Sequence, residues 1–443
     1  MNKQFLKKIR DNMPEPLKYV AASIFRNKLI KNKDYCAYTK LLENREFLNE
    51  DAIKDYQFSE LKKILVYAND TVPYYSELFN QVGFYPHEMM SADEMNVIPF
   101  LTKEIIRENF DKLISTKKVL GGHYVATTGG STGEPLKVLL DYDCVFKENA
   151  FVTHFRSKLG YKTTDKLATF RGVEFDDKLW KFNPMQNELI FSPFKLANHT
   201  LPKYIKKLNN FKPDYLNGYL SSIYFLAKLM SENQINFKYP IRGVFLISEN
   251  IDPEQRAFVE NFFQVKSSTF YGHSERCIVG EELQINEYSF DPYYGYTELI
   301  KNEDNTFQIV GTGFLNKTFP LIRYQTNDNC KSINSNTVSI EGRWNLSDFL
   351  IGFNGEKVFH SSFNFHSEIF KNVVNYQFVQ NQKGRVDLLL VVNKYFANEE
   401  IDLMKKEIDK KTKDVISFNI KVVDKLILSK RGKFKMFVNN INE

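Results

Sequence analysis

A loop rich in glycine and hydroxyl residues is the segment whose residue types point most directly to chemistry. Residues 124–137 read Tyr-Val-Ala-Thr-Thr-Gly-Gly-Ser-Thr-Gly-Glu-Pro-Leu-Lys and lie between two apolar runs. Backbone N–H groups and short hydroxyls in such a loop bind phosphate well, and glycine allows a close approach that a Cβ would block. The Gly-Lys-Ser/Thr of a Walker loop is missing at the required spacing. The loop therefore predicts a phosphate cradle of another kind.

Five further segments carry side chains suited to binding or to charge stabilisation. They are Ser248-Glu249-Asn250, Tyr271-Gly272-His273-Ser274-Glu275, the run from Gly311 through Phe319-Pro-Leu-Ile-Arg-Tyr to Asp328, Gly342-Arg343 with Asp348, and Ser429 to Lys435. Each has an ordinary structural interpretation when taken alone, such as a turn, an Asx-turn or a solvated basic run. Short motifs match by chance often, so no single segment identifies a function.

Taken in order, these segments resemble the adenylate-forming superfamily of acyl-CoA synthetases and adenylation domains. The similarity runs from about Tyr67 to Lys435 and is stronger to the phenylacetate–CoA ligase and CapK-like branch, which includes coenzyme F390 synthetase-like proteins. Five motifs that occur in the family's order identify the family more specifically than any single motif does. The resemblance implies ATP-dependent activation of a carboxylic acid as acyl-AMP, transfer of the acyl group to CoA, and a role in surface-polysaccharide biosynthesis.

The resemblance assigns a nucleotide-binding role to the matching residues. The ATP β- and γ-phosphates would be held by Thr128, Gly129, Gly130, Ser131, Thr132 and Gly133. Tyr271 would stack on the adenine, and Asp328 would accept from both ribose hydroxyls, which suits a carboxylate. The remaining nucleotide contacts would come from Ser248, Glu249 and Gly272. Glu275 would hold Mg²⁺, a hard cation that prefers oxygen ligands.

Two basic residues and a hinge complete the implied catalytic machinery. Arg343 would contact ribose or phosphate, and Lys433 would stabilise charge while the carboxylate attacks the α-phosphorus. Two anions meet in that step, so positioning and cationic stabilisation carry most of the catalysis. Asp348 would be the hinge that brings Lys433 in after substrates bind. Lys430 and Lys435 compete for the lysine role, but the glycine before Lys433 favours Lys433.

Apolar periodicity predicts an α/β fold that positions these motifs. Helices are predicted over 58–68, 219–232 and 252–263, and strands over 136–140, 241–247, 296–300, 307–310 and 320–324. The pattern changes after Arg343, with a strand at 386–392, a charged helix at 397–412 and an alternating strand at 415–422. We expect a large, multi-subdomain N-terminal adenylation domain over 1–347 and a small, mobile α+β C-terminal domain over 348–443 that carries the late lysine.

Composition predicts a globular cytoplasmic protein without a zinc site. The four cysteines show no CxxC spacing and are interpreted as reduced thiols. No apolar run approaches the ~18 residues needed to cross a bilayer, and the start lacks a signal-peptide core. The formal charge is +6, yet residues 1–33 alone carry nine basic and two acidic side chains. The rest is nearly neutral, which argues against a nucleic-acid partner.

The basic start belongs to a predicted helical extension over 1–50 and has two interpretations. Apolar residues are interleaved with the basic ones in 1–33, so the segment is either a solvated helix or a peripheral contact with the inner face of the membrane. A homodimer is one option for the oligomeric state.

Departures from the family pattern leave the acid and the acceptor open. His273 and Ser274 stand where a small residue and threonine are usual, Asn327 replaces the glycine before Asp328, and the loop lysine is displaced to Lys137. His273 either faces the substrate or is a structural hydrogen-bonding residue. One alternative is an amide-forming ligase that transfers the acyl group to an amino sugar or amino acid. Another is a non-catalytic nucleotide-binding assembly subunit.

Overall fold

The computed structural model describes most of the chain. The described residues are 14–45, 49–119, 121–127, 136–172, 178–249, 251–334, 336–341, 349–359, 370, 372–392, 395–412, 415–427 and 437–441. Their helices are α1 (Glu15–Ile30), α2 (Lys33–Asn44), α3 (Glu50–Thr71), α4 (Pro73–Val82), α5 (Lys103–Glu108), α6 (Tyr142–Ser157), α7 (Leu201–Phe211), α8 (Leu220–Glu232), α9 (Pro253–Phe263) and α10 (Glu399–Thr412). Asparagine or aspartate caps several of them, as in α9, where Asp252 accepts from the Gln255 N–H at 2.9 Å.

A hairpin and a mostly parallel sheet form the first half of the β structure. The strands are β1 (His123–Thr127), β2 (Lys137–Asp141), β3 (Leu167–Phe170), β4 (Trp180–Asn183), β5 (Glu188–Phe191), β6 (Tyr215–Gly218), β7 (Gly243–Leu246) and β8 (Ser267–Ser268). β1 and β2 form the antiparallel hairpin, and the other six form a sheet in the order β4-β5-β3-β6-β7-β8. β4 is antiparallel to its neighbour β5. The other pairs in that sheet are parallel, as expected where helices connect the strands.

Both faces of the six-stranded sheet are buried. Ala168, Leu216 and Val244 lie on one face, in a cluster with side chains of α7, α8 and α9. Asn217 points to the other face, where Arg156 of α6 donates to its side-chain oxygen at 2.8 Å and lies over the Phe245 ring. The sheet is therefore a rigid layer between two sets of helices, which is typical of parallel strands.

An antiparallel sheet of seven strands follows. Its strands are β9 (Phe270–Gly272), β10 (Val279–Gln284), β11 (Glu287–Phe290), β12 (Gly295–Lys301), β13 (Phe307–Gly313), β14 (Tyr324–Ser332) and β15 (Val338–Glu341), in the order β12-β13-β14-β15-β11-β10-β9. The predicted site residues Tyr271 and Asp328 lie on β9 and β14, which are not neighbours in this order. Only the fold brings them together.

The C-terminal residues form a separate α+β unit. Its strands are β16 (Phe349–Ile351), β17 (Lys357–Phe359), β18 (Val373–Gln382), β19 (Arg385–Val392), β20 (Ser417–Val422) and β21 (Phe437–Asn439). The last four form a sheet in the order β20-β19-β18-β21, with α10 between β19 and β20 along the chain. Ile416 and Phe418 are buried, as the alternation predicts, whereas Val422 at the end of β20 is exposed. The domain boundary at 347/348 borders residues outside the described ranges and stays a prediction.

The predicted helices and most predicted strands are confirmed, but the strand over 320–324 is wrong. Strand structure begins only at Tyr324, because Arg323 adopts a left-handed φ of 49°. The residues before it are held by side chains instead: Tyr75 Oη donates to the Pro320 carbonyl at 3.0 Å. Leu321 and Ile322 are buried in the core, so the segment is apolar without being a strand.

The N-terminal helices are partly packed on the body of the protein. Leu29 and Tyr35 are buried in one cluster with Phe151 of α6. Arg45 lies 2.5 Å from Asp291 and 3.0 Å from Glu281, two buried carboxylates of the antiparallel-sheet region. The extension is thus fixed from about Leu29 onward, whereas Ile24 on α1 is exposed.

Two further features concern the cysteines and the helices. All four cysteines are free thiols, and Cys36 is the exposed one. Within the described ranges, none of the helices combines the length and the apolar character that crossing a bilayer requires.

Candidate functional site

A tight turn between β9 and β10 lies at the centre of the site. The Arg276 N–H donates to the His273 carbonyl at 3.1 Å, and Arg276 has a left-handed φ of 54°. The turn keeps His273, Glu275 and Arg276 within four residues at the end of a short strand. The imidazole of His273, the carboxylate of Glu275 and the guanidinium of Arg276 therefore all project from one tight turn of the backbone.

Glu275 is a buried carboxylate that stays ionised. Its side chain accepts a hydrogen bond from Tyr324 Oη at 2.8 Å, and His273 Nδ1 lies 3.4 Å from its other oxygen. Burial alone would raise the pKa of Glu275, but the neighbouring His273 ring, Lys103 and Tyr324 together lower it to about 2. A buried anion near neutral pH is a suitable ligand for a cation.

Lys103 and Tyr324 are functional neighbours that the sequence analysis missed. Lys103 is buried and begins α5, where Thr102 accepts from the Ile105 N–H at 3.3 Å as the N-cap. Tyr324 starts β14 and pairs with Leu101 in an isolated parallel bridge. Tyr324 already stood in a recognised motif, so its hydroxyl could have been proposed. Nothing in the sequence connects Lys103 with Glu275.

Tyr271 and Asp328, predicted to bind adenine and ribose, are in direct contact. Tyr271 Oη donates to Asp328 Oδ2 at 2.9 Å, and both side chains are partly exposed. Asn327, just before Asp328, has a left-handed φ of 64°. Asparagine tolerates that conformation better than most residues, which explains why it can stand where glycine is usual.

His273 joins the Tyr271–Asp328 pair to Glu275. The ring centroids of His273 and Tyr271 lie 6.0 Å apart, and those of His273 and Tyr324 lie 6.4 Å apart. The structure thus brings Tyr271, Glu275 and Asp328 together around a histidine whose role was left open, and the binding roles assigned to these residues stay predictions.

Ser248 and Glu249 follow β7, at the carboxyl end of the parallel sheet. Ser248 has a left-handed φ of 59°. Glu249 accepts from the Ser221 backbone N–H at 2.9 Å and from its hydroxyl at 2.8 Å, which satisfies the first turn of α8. Glu249 therefore has a structural task, and its predicted contact with the nucleotide, like those of Ser248 and Gly272, stays a prediction.

Several predicted site residues lie outside the described ranges. They are Thr128, Gly129, Gly130, Ser131, Thr132 and Gly133 of the phosphate loop, Arg343, the hinge residue Asp348 and Lys433. The described flanks of the loop are paired, with Thr127 of β1 opposite Lys137 of β2. Among the described residues, no group of three or more His, Cys, Asp or Glu could hold a metal ion.

Comparison with known proteins supports the resemblance inferred from the motifs. Residues 350–440 match the model of the CapK C-terminal domain family. The chain is 26% identical to Protein CapK of Staphylococcus aureus over 420 residues, which is 91% of this chain and 92% of that protein. It is 21% identical to phenylacetate-coenzyme A ligase of Pseudomonas putida over 303 residues, 65% of this chain and 68% of the relative.

Solved structures show the same fold at low sequence identity. A crystal structure of 2-hydroxyisobutyryl-CoA ligase with 2-HIB-AMP and CoA matches with a TM-score of 0.56 and 16% identity, covering 90% of this chain and 91% of that one. The same ligase in its postadenylation state matches with a TM-score of 0.53 and 14% identity, covering 90% and 92%. The similarity to the adenylate-forming superfamily, its phenylacetate–CoA ligase and CapK-like branch, and the α/β fold are confirmed.

Proposed function

We propose that this chain is an ATP-dependent acid–CoA ligase that activates a carboxylic acid as acyl-AMP and passes the acyl group to CoA. The similarity to phenylacetate-coenzyme A ligases over about two thirds of the chain supports this class of reaction. The observation that carries the proposal is the placement of the ionised Glu275 beside the hydrogen-bonded pair Tyr271 and Asp328.

In this proposal the Tyr271–Asp328 pair holds the nucleoside of ATP. A carboxylate accepts several hydrogen bonds, so Asp328 can accept from the ribose hydroxyls while the Tyr271 hydroxyl keeps it in place. The tyrosine ring then offers a face on which the adenine stacks. The two residues act together, because the bond between them fixes both orientations.

Glu275 fits a Mg²⁺ ion that takes most of its ligands from ATP and water. Mg²⁺ in nucleotide sites binds through one or two carboxylates plus phosphate oxygens, so a single protein carboxylate is enough. When bound, the ion would neutralise phosphate charge near the α-phosphorus. Glu275 is held in its ionised form by its neighbours, which prepares it for that task.

The reaction has two steps. An oxygen of the substrate carboxylate attacks the α-phosphorus of ATP, the bond from the α-phosphorus to the bridging oxygen breaks, and pyrophosphate leaves. The CoA thiol, losing its proton, then attacks the acyl carbon, and AMP leaves. We propose that the loop at 128–133 holds the departing phosphates, that Arg343 and Lys433 stabilise the charge that develops, and that Asp348 is the hinge between the domains.

The biological setting is proposed from the family resemblance alone. The similarity to Protein CapK extends over 91% of the chain, and the place in surface-polysaccharide biosynthesis rests on the resemblance to the CapK-like branch. A cytoplasmic location is a further prediction from the sequence, whereas a solvated helix or a membrane contact for residues 1–33, and a homodimer, stay open alternatives.

A pyrophosphate-release screen tests the proposed function. The full-length protein is incubated with ATP, Mg²⁺ and aryl, fatty, hydroxy and amino acids, with and without CoA. Acid-dependent release of pyrophosphate, followed by thioester formation with CoA, is the expected result. Release without thioester, with an amide formed when an amine is added, would instead support the amide-forming ligase. Tight ATP binding without release for any acid would support the non-catalytic subunit.

A further inference from the structure

The outward face of α1 has no task in the scheme above. α1 packs against β4 at the edge of the six-stranded sheet, and Leu29 near its end is buried in one cluster with Tyr35 and Phe151. Two apolar side chains of the same helix are nevertheless exposed, Leu17 to 55% and Ile24 to 70%. The helix is therefore held to the body of the protein and presents apolar side chains to solvent.

Leu17, Ile24 and Lys28 share one face of α1. An α-helix has about 3.6 residues per turn, so residues seven or eleven positions apart lie almost directly above one another. Ile24 and Lys28 stand at these distances from Leu17, and all three side chains are exposed. Single exposed apolar residues are ordinary on a protein surface. Two of them aligned with a lysine form an amphipathic strip, which is typical of a helix that lies at an interface.

Positive charge is concentrated around this strip. Lys31 and Lys33, which follow α1, are also exposed. Residues 1–33 carry nine basic and two acidic side chains, whereas the formal charge of the whole chain is +6. Because the rest of the chain is nearly neutral, an anionic surface attracts this end of the protein most strongly. The strip is thus complementary in charge to an anionic partner.

Apolar exposure and positive charge together favour a lipid surface as that partner. A nucleic acid would pair with the lysines and leave Leu17 and Ile24 in water. A stable protein partner needs about 800 Å² on each side, which is far more than two apolar side chains provide. A bilayer with anionic lipids suits both features, because its headgroups attract lysine and its interfacial region accepts apolar side chains.

We infer that α1 binds the surface of a membrane that contains anionic lipids. Leu17 and Ile24 enter the boundary between headgroups and acyl chains, while Lys28, Lys31 and Lys33 contact the anionic headgroups. The helix lies on the surface, and the packing around Leu29 keeps the body of the protein beside it. This inference goes beyond the proposed function, because the residues proposed to bind the nucleotide and Mg²⁺ do not lie on α1.

Co-sedimentation of the full-length protein with lipid vesicles tests the inference. One set of vesicles contains phosphatidylcholine alone, and the other contains phosphatidylcholine with phosphatidylglycerol. We expect binding to the anionic vesicles to be at least about tenfold stronger than to the neutral ones, and to weaken as salt is raised. No binding to either, or equal binding to both, would overturn the inference.

Variants of the strip separate lipid insertion from simple charge attraction. The double variant Leu17→Ser with Ile24→Ser should bind anionic vesicles at least about tenfold more weakly, because it keeps every lysine but loses the apolar side chains. Met90→Ser is the matched control, since Met90 is 83% exposed but does not belong to α1. The control should bind as the wild type does. A folded double variant that also binds like the wild type would overturn the inference.

The basic part of the strip has its own test. Lys28→Glu should weaken binding to anionic vesicles and leave the weak binding to neutral ones unchanged. Lys301→Glu, at an exposed lysine of β12, is the control for a general change of charge and should have little effect. Equal losses in the two variants would contradict the assignment to α1. Failure of acid-dependent pyrophosphate release would overturn the proposed function and leave these vesicle measurements unaffected.

Discussion

At the residue scale, the site depends on how neighbouring side chains set one another's charge and orientation. Tyr271, Glu275 and Asp328 could be predicted from the sequence because they stand in recognisable motifs. Lys103 could not, since its effect on Glu275 arises from tertiary packing that joins distant parts of the chain. The pairing of Arg276 with Glu148 was hidden for the same reason. The loop at 128–133, Arg343 and Lys433 remain predictions.

The charge on Glu275 makes stability depend on pH. Its folded pKa is about 2 against an ordinary value of 4.5, so its ionised form contributes stability that is present above about pH 4.5 and is lost as pH falls towards 2. The shift corresponds to about 3 kcal/mol. We expect the difference in free energy of unfolding between wild type and Glu275→Gln to shrink over this range in urea titrations. A pH-independent difference would contradict the assigned charge state.

The hydroxyl of Tyr271 should matter for ATP more than for turnover. Tyr271→Phe removes the 2.9 Å hydrogen bond to Asp328 and leaves the ring, so the KM for ATP should rise about tenfold with little change in kcat. Steady-state pyrophosphate release gives both constants. Tyr85→Phe, at an exposed tyrosine, is the control and should change neither. An unchanged KM in the Tyr271 variant would argue against a role for this hydrogen bond in nucleotide binding.

At the scale of elements, periodicity predicted the helices well and the strands less well. The helices at 58–68, 219–232 and 252–263 all exist, because each has an apolar face of helical spacing. The segment 320–324 was predicted as a strand from its apolar residues, yet the residues before Tyr324 form an irregular stretch that packs against Tyr75 and the core. Burial makes a segment apolar whatever its backbone conformation, so composition alone cannot distinguish the two.

The junction of β6 and α8 requires glycine. Gly218 has φ of 151°, and a Cβ at this position would lie 2.3 Å from the Phe170 carbonyl oxygen of the neighbouring strand. Gly218→Ala should therefore destabilise the protein by about 3 kcal/mol. Gly83→Ala is the control, because Gly83 also has a positive φ but no atom within 4 Å of the point that a Cβ would occupy. The Gly83→Ala variant should lose about 1 kcal/mol in free energy of unfolding. Equal losses in thermal unfolding would contradict the steric argument.

At the scale of the whole molecule, the chain joins distant parts through buried charges. The sequence predicted an N-terminal extension and left open whether it is solvated or contacts a membrane. It could not predict that Arg45 pairs with Asp291 and Glu281, because those partners come from the antiparallel-sheet region. The predicted hinge Asp348 and the late Lys433 lie outside the described ranges, so a movement between the two predicted domains stays a prediction.

Removing Arg45 should destabilise the whole protein. Arg45→Ala leaves Asp291 buried without its partner, and breaking a buried pair in this way typically costs about 3 kcal/mol or more. Lys54→Ala is the control. Lys54 pairs with Glu50, both side chains are exposed, and the pair should contribute less than about 0.5 kcal/mol to stability. Urea unfolding measures both. A loss in the Arg45 variant as small as in the control would show that the N-terminal helices are not fixed by this pair.

The central claim is that the chain forms an acyl-adenylate, and isotope exchange tests it most directly. Labelled pyrophosphate should be incorporated into ATP when ATP, Mg²⁺ and a suitable acid are present, without CoA, because acyl-AMP formation is reversible. Lys433→Ala should lower the exchange rate on the order of 100-fold or more. Exchange that depends on the acid and on Lys433 is the predicted result. No acid-dependent exchange from a folded protein that binds ATP would contradict the account.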